Sequence, residues 1–144
     1  MTSCKICKSE DVKILTAVED VAYKGHKLQV PMEYSVCGNC GREFISRPQI
    51  LSGEMACRKV KKNFDGLLSS EAIARARKKL AITQEQASLI FGGGKNAFSK
   101  YERGEVSQSA AMDNLVRVCL KHKQVFRELA LKAGVEVDFG SRPE

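Results

Sequence analysis

The sequence predicts an α+β chain of two small domains, a β-rich one over residues 1–65 and an all-α one of five helices over residues 66–144. Three features predict this division. Runs of β-branched and aromatic residues in the first half favour strands. Capping residues and glycines delimit short helices in the second half. All four paired cysteines lie in the first half, so the two halves also differ in chemistry.

The composition is that of a globular protein with excess positive charge. Apolar residues make up 43% and charged residues 28%, and 24 Lys and Arg against 17 Asp and Glu give a formal net charge of +7. No apolar run is long enough to span a bilayer, and no signal peptide follows Met1. We therefore expect a cytoplasmic protein without a membrane partner, whose basic balance is compatible with nucleic-acid binding.

The first half contains a predicted hairpin. Its strand candidates are Val12–Leu15, Glu19–Tyr23 and Leu28–Val36. Lys24-Gly25 supplies a turn between the last two. Because proline cannot donate to a strand ladder, Pro31 predicts an edge strand or a break.

A basic segment follows the hairpin. Residues 48–66 are predicted to be helical or linking, and they include the cluster Arg58–Lys62. We favour a hinge between the domains at this cluster, and the alternative is a solvated helix face.

Five short helices are predicted in the second half from their start and stop signals. Ser69 or Ser70 caps the first, and Thr83 begins a capping box that includes Gln86. Glycines interrupt or end the others, as at Gly104 and Gly134. The predicted helices cover residues 69 or 70 to 80, 83 to 91, 95 to 103, 109 to 122, and 124 to 133.

The paired cysteines predict a metal site. Cys4, Cys7, Cys37 and Cys40 follow the pattern C-x2-C-x29-C-x2-C. Two such turns can complete a tetrahedron of thiolates, which favours one structural Zn²⁺ per chain and leaves no open position for catalysis. Iron and redox chemistry are the alternatives. Cys57 and Cys119 stand alone and are predicted to be small apolar core residues.

The helices predicted over 83–91 and 95–103 have the layout of a helix-turn-helix. On a helical wheel, Phe98 and Tyr101 share a side suited to packing. The opposite side predicts DNA contacts from Lys95, Asn96, Ser99, Lys100 and Arg103. Asn can bond adenine, Lys can donate to guanine, and Ser and Arg can hold phosphate. The alternative is an ordinary solvated polar face.

Two stretches of the chain resemble known families. Residues 77–84 and Tyr101-Glu102-Arg103-Gly104 are similar to the Xre/Cro-type repressor helix-turn-helix. Ile90-Phe91-Gly92-Gly93-Gly94-Lys95-Asn96-Ala97-Phe98-Ser99, together with the four cysteines, resembles the MqsA antitoxin family. The resemblance covers roughly residues 4–130.

The resemblance implies both a partner and site residues. In that family the zinc domain blocks a small toxin, usually an mRNA-cleaving ribonuclease, and the helical domain dimerises and represses the shared operon at a palindrome. Asn96 matches the base-reading residue, whereas Lys100 replaces an Arg and so lacks its planar fork. The wider repressor class implies that Gln84 contacts phosphate and that Arg77 pairs with Glu102.

We therefore predict a non-enzymatic antitoxin of a type II toxin-antitoxin system that binds double-stranded operator DNA, a ribonuclease toxin and a second copy of itself. The alternative is a stand-alone zinc-domain regulator of the Xre family without a toxin. An enzyme is disfavoured because the sequence has no open metal site, Ser-His-Asp set or paired acid cluster. The tail over residues 134–144 has no counterpart in the resemblance.

Overall fold

The computed structural model describes residues 3–137, which form two compact units that divide between Lys61 and Lys62. Its elements are β1 (Val12–Tyr23), β2 (His26–Cys37), β3 (Glu43–Phe44), α1 (Arg47–Phe64), α2 (Ser70–Lys79), α3 (Gln84–Phe91), α4 (Ala97–Arg103), α5 (Ala110–Lys121) and α6 (Lys123–Ala133). The predicted α+β class is confirmed. Residues 138–144 of the tail lie outside the described residues.

The first unit is built on a long β-hairpin. β1 pairs antiparallel with β2 over its whole length, from Val12 opposite Cys37 to Tyr23 opposite His26. The two-residue turn at Lys24-Gly25 has φ values of 49° and 77°, as a tight hairpin turn requires. The sequence predicted two separate strands where β1 is one. That prediction was wrong because Thr16-Ala17-Val18 contains no turn residue and continues the strand.

Pro31 lies inside β2, opposite Val18, without breaking the strand. In a hairpin with a two-residue turn, hydrogen-bonded and non-hydrogen-bonded pairs alternate from the turn, which places Pro31 in a non-hydrogen-bonded pair. Its nitrogen then faces the outer side of β2, where β3 pairs only with Ser35 and Val36. The missing N–H therefore leaves the ladder intact.

Helix α1 packs along the hairpin. The Gln49 amide donates to Ser35 Oγ at 2.8 Å. The Lys61 ammonium lies 5.2 Å from the centre of the Tyr23 ring. The basic cluster Arg58–Lys62 is part of this helix, and the division between the two units falls inside it. The hinge stays a prediction. The alternative, a solvated helix face, is wrong for Lys62, which is 5% exposed.

The five helices predicted in the second unit are α2 to α6. The capping box is confirmed, because the Thr83 N–H donates to Gln86 Oε1 at 2.9 Å and the Gln86 N–H donates to Thr83 Oγ1 at 3.1 Å. Gly104 and Gly134 end α4 and α6 in the left-handed conformation, as predicted. The predicted start of α4 is two residues too early. The glycines with positive φ end at Gly94, and Lys95 and Asn96 form a turn before the helix begins at Ala97.

An aromatic cluster forms the core of the second unit. The Phe91 ring centroid lies 5.6 Å from that of Phe98 and 6.1 Å from that of Phe126. Fully burying one such side chain contributes roughly 1.5–3 kcal/mol, so these rings hold α3, α4 and α6 together.

Cys119 is fully buried, as predicted, and Cys57 is half-buried. Within the described residues, no helix is both long and apolar enough to cross a membrane.

A buried carboxylate fixes the segment that precedes α2. Asp113, on α5, is 3% exposed and accepts hydrogen bonds from the Leu68 N–H at 2.8 Å, Gln108 Nε2 at 3.0 Å and Arg117 Nε at 2.8 Å. Burial raises the pKa of Asp113, but these donors favour the carboxylate and hold the pKa below its usual value. The charged form therefore stabilises the folded unit.

The stability of the second unit is expected to fall on acidification. A carboxyl group whose pKa is lower in the folded than in the unfolded state stabilises the fold. The contribution is fully present above the unfolded pKa of about 3.9 and is lost as the pH falls through the folded pKa. Asp113→Asn should lower the free energy of unfolding at neutral pH by about 1.5–3 kcal/mol and flatten this acid dependence. Urea unfolding at a series of pH values from neutral to acidic measures the free energy of unfolding and its dependence on pH. An unchanged acid dependence in Asp113→Asn contradicts the assignment.

Candidate metal centre and nucleic-acid interface

Two similar loops carry the four paired cysteines. In each loop, the residue after the second cysteine has a positive φ, 64° at Lys8 and 75° at Gly41. That residue donates its N–H to the carbonyl of the first cysteine, Lys8 to Cys4 at 2.9 Å and Gly41 to Cys37 at 2.8 Å. The left-handed residue thus folds each loop back, which turns both thiols of a pair to the same side.

The two loops bring their sulfurs to one point. Cys4 Sγ lies 3.7 Å from Cys40 Sγ, and Cys7 Sγ lies 3.4 Å from Cys37 Sγ. All four sulfurs lie within 4.8 Å of one another. A tetrahedral ion with metal–sulfur distances near 2.3 Å requires sulfur–sulfur separations of about 3.8 Å. The donor set therefore fits a four-coordinate metal and leaves no position open for a substrate.

The four thiols shift one another's pKa values. The Asn39 side chain, the Ser9 backbone and the Cys37 thiol stabilise the Cys7 thiolate and lower its pKa to about 6. At Cys40 the Arg42 backbone amide favours the thiolate, but burial and the other three thiols outweigh it and raise the pKa to about 11. A cation bound between the sulfurs would favour the thiolate form of all four cysteines.

The second unit places α3, a glycine turn and α4 in the helix-turn-helix order. Gly93 has a φ of 98°, and a Cβ at this position would lie 3.1 Å from Ala97 Cβ and 3.2 Å from Tyr101 Oη. Any side chain here would push against α4. The glycine is therefore needed both for the backbone conformation and for the seating of α4.

The side chains of α4 separate into a buried and an accessible side. Phe98 and Tyr101 are 1% and 8% exposed and pack in the core. Of the six residues predicted to contact DNA, the structure leaves four exposed, and Ser99 and Gln84 are half-buried. The exposed four are Lys95, Asn96, Lys100 and Arg103. This accessible side can therefore meet a ligand without unpacking the helix.

Arg77 and Glu102 join α2 to α4 through two hydrogen bonds. Arg77 Nε lies 2.7 Å from Glu102 Oε2, and Arg77 Nη2 lies 3.0 Å from Oε1. Gln84 Nε2 also donates to Glu102 Oε1 at 3.1 Å, so the residue proposed for phosphate contact is held by the same carboxylate. Burial raises the pKa of Glu102, but Arg77 and Gln84 lower it below its usual value.

Several contributors to the two sites were not found from the sequence. Asn39 acts on the Cys7 thiol, and its position inside the second cysteine pair was the available signal. Glu105 forms an exposed ion pair with Arg103, one of the predicted DNA contacts. Only the spacing of opposite charges two residues apart signalled that pair.

Loss of one thiol should unfold the first unit and spare the second. Cys37→Ser removes a fully buried ligand, so we expect the metal to be lost and the amide signal of the buried Val30 to lose its dispersion. The signal of Val116, in the second core, should not move. Cys57→Ser is the matched control. Metal retention by Cys37→Ser at wild-type affinity contradicts the assignment.

Substitutions at Lys8 and Gly41, the two loop residues with positive φ, should change the metal affinity in opposite directions. Gly41→Ala introduces left-handed strain of about 1–2 kcal/mol, which corresponds to roughly tenfold weaker metal binding. Lys8→Gly relieves the same strain and should tighten binding by several-fold, less the entropy cost of glycine. Competition with a chelator measures both affinities. If Gly41→Ala binds as tightly as wild type, the loop geometry is wrong.

Comparison with known proteins shows the family of this chain. A family model described as "Antitoxin component of bacterial toxin-antitoxin system, MqsA" matches residues 2–130. The chain is 28% identical over 131 residues to "Antitoxin MqsA" of Escherichia coli (strain K12), an alignment that covers 88% of this chain and 98% of that protein. The matched range includes all four clustered cysteines and α2 to α4. The chain belongs to the MqsA antitoxin family.

Proposed function

We propose that this chain neutralises a small ribonuclease toxin through its first unit and represses its own operon through its second. The observation that carries the proposal is the combination, in one member of the antitoxin family, of a four-thiol site with an exposed polar side on α4. Neither site has the open metal position or the acid and base groups of an enzyme.

The ion proposed for the four-thiol site is Zn²⁺, held by Cys4, Cys7, Cys37 and Cys40. Zinc favours four tetrahedral thiolates and has no redox chemistry, so it suits a site whose work is to hold two loops together. In this role the ion supplies folding energy to a unit whose described residues form one three-stranded sheet and the helix α1.

The proposed DNA contact places α4 in the major groove. Asn96, at the N-terminal end of α4, can bond adenine, and Lys100, one turn later, can donate to guanine. Lys95 and Ser99 would hold phosphates beside these bases. Arg103 would exchange the Glu105 carboxylate for a phosphate. Two copies related by a two-fold axis would read the two halves of a palindromic operator.

The proposed toxin contact lies on the first unit. Ile14 and Val18 are 61% and 63% exposed and lie on the same face of β1, four residues apart. Large aliphatic side chains on an accessible sheet face are typical of protein contact surfaces. This surface supports a protein partner for the hairpin, in agreement with the antitoxin family.

The operator proposal is tested by Asn96→Ala. Loss of a bidentate base contact should weaken binding to the chain's own promoter by about 1–3 kcal/mol and relax the preference at one adenine. Asn114→Ala, at an exposed position on α5, is the matched control. Fluorescence anisotropy at fixed salt measures both. Equal weakening on the promoter and on scrambled duplex would mean that Asn96 does not read a base.

The toxin proposal is tested with the gene beside this one. We expect its expression alone to stop growth and to degrade mRNA, and co-expression of this chain to restore growth. The two proteins should then co-purify in a fixed ratio. A neighbour that is harmless, together with specific promoter binding by this chain, would favour the alternative of a stand-alone zinc-domain regulator.

A further inference from the structure

A cleft of about 370 Å³ lies beside the four-thiol site. Residues of both cysteine loops, of β3 and of the start of α1 line it. They include Lys5, Ile6, Arg42, Phe44, Ile45 and Arg47. We call it the cationic cleft, and neither proposed function above uses it.

The cationic cleft carries three positive charges without compensation. Lys5, Arg42 and Arg47 are all exposed, and within residues 3–137 none of these side chains forms an ion pair with an acid. No acidic residue is among the described residues that line the cleft. The neighbouring Glu43 lines a different cleft. The first turn of the 18-residue helix α1, which begins here, has no acidic residue either. The cleft is therefore complementary to an anion.

The cationic cleft also presents apolar surface to water. Ile6 and Ile45 are 63% and 60% exposed, and the half-buried Phe44 lies between the loops and α1. Phosphate needs cations but gains nothing from aliphatic neighbours. A carboxylate next to an apolar side chain uses both parts of the surface.

We propose that the cationic cleft binds an acidic segment of a protein partner, with a carboxylate held by the cations and an adjacent apolar side chain on Ile6 and Ile45. The identification of this partner with the toxin rests on the proposed function. The binding chemistry itself rests on the cleft.

The loops of the four-thiol site carry two of the three cations of the cationic cleft. Lys5 lies between Cys4 and Cys7, and Arg42 follows Cys40 by two residues, so the cysteine loops position two of the three cations. Arg47 comes from α1 instead. Release of the ion should therefore disperse the cations and abolish binding, which gives the structural metal a direct part in recognition.

The test uses the full-length, metal-loaded chain with labelled isoleucine methyl groups. The probe is the capped peptide acetyl-Leu-Glu-Leu-Glu-Leu-amide, and its comparator has Gln in place of Glu. We expect the Glu peptide to shift the Ile6 and Ile45 methyl signals saturably and to leave the buried Ile73 unmoved. The Gln peptide should bind about tenfold more weakly, because it lacks the charge-assisted hydrogen bonds.

The variants separate the cleft from general charge. Arg42→Gln with Arg47→Gln should weaken the Glu peptide about tenfold. Lys13→Gln with Lys27→Gln removes the same charge from exposed hairpin positions and should not weaken it. The metal content of each variant shows whether the cysteine loops are intact. If the double variant loses metal, Arg47→Gln alone is used instead, because Arg47 lies on α1 and not in a cysteine loop.

Three results would overturn the proposal: equal binding of the two peptides, no effect of the cleft variants, or tighter binding of a short oligothymidylate, which would make the cleft a nucleic-acid site. The peptide test does not involve the toxin, so it can fail while the antitoxin proposal stands. If Arg42→Gln with Arg47→Gln loses the peptide but binds the toxin unchanged, the identification of the partner with the toxin is wrong.

Discussion

Four cysteine sulfurs lie within 4.8 Å of one another, and as thiolates they would need a cation between them. The first unit depends on this constraint because its sheet buries little: within the described part of that unit, Val30 is the one aliphatic side chain that is fully buried. An ion bound there would join the segments on both sides of the β1–β2 hairpin. Cys4 and Cys7 precede β1, and Cys37 and Cys40 lie at and after the end of β2.

The second unit is stabilised differently. Its core is aromatic and aliphatic. Arg77 and Gln84, on two other helices, donate to the Glu102 carboxylate, whereas Asp113 accepts from the Leu68 N–H, from Gln108 and from Arg117 on its own helix. The Arg77–Glu102–Gln84 group holds α2, α3 and α4 together beneath the accessible side of α4. A metal at the four-thiol site would therefore stabilise the first unit, and its loss should affect the proposed partner contacts before the proposed DNA contacts.

Local signals predicted most of the fold, and contacts between distant residues account for what was missed. The Thr83 capping box, the Lys24-Gly25 turn and the helix ends at Gly104 and Gly134 are all encoded within a few residues, so the sequence sufficed. Arg58–Lys62 is helical and Lys61 lies over the Tyr23 ring, a contact between distant residues that basic composition alone did not reveal. The cationic cleft joins residues about 40 positions apart, which no local pattern reveals.

X-ray absorption at the zinc edge, on the full-length chain purified without added metal, tests the central claim most directly. We expect one zinc per chain with four sulfur neighbours at about 2.3 Å and no nitrogen or oxygen in the first shell. Such a shell means that the four cysteines hold a closed, structural ion. A shell that includes nitrogen or oxygen, an iron signal in place of zinc, or a folded first unit without metal would contradict the account.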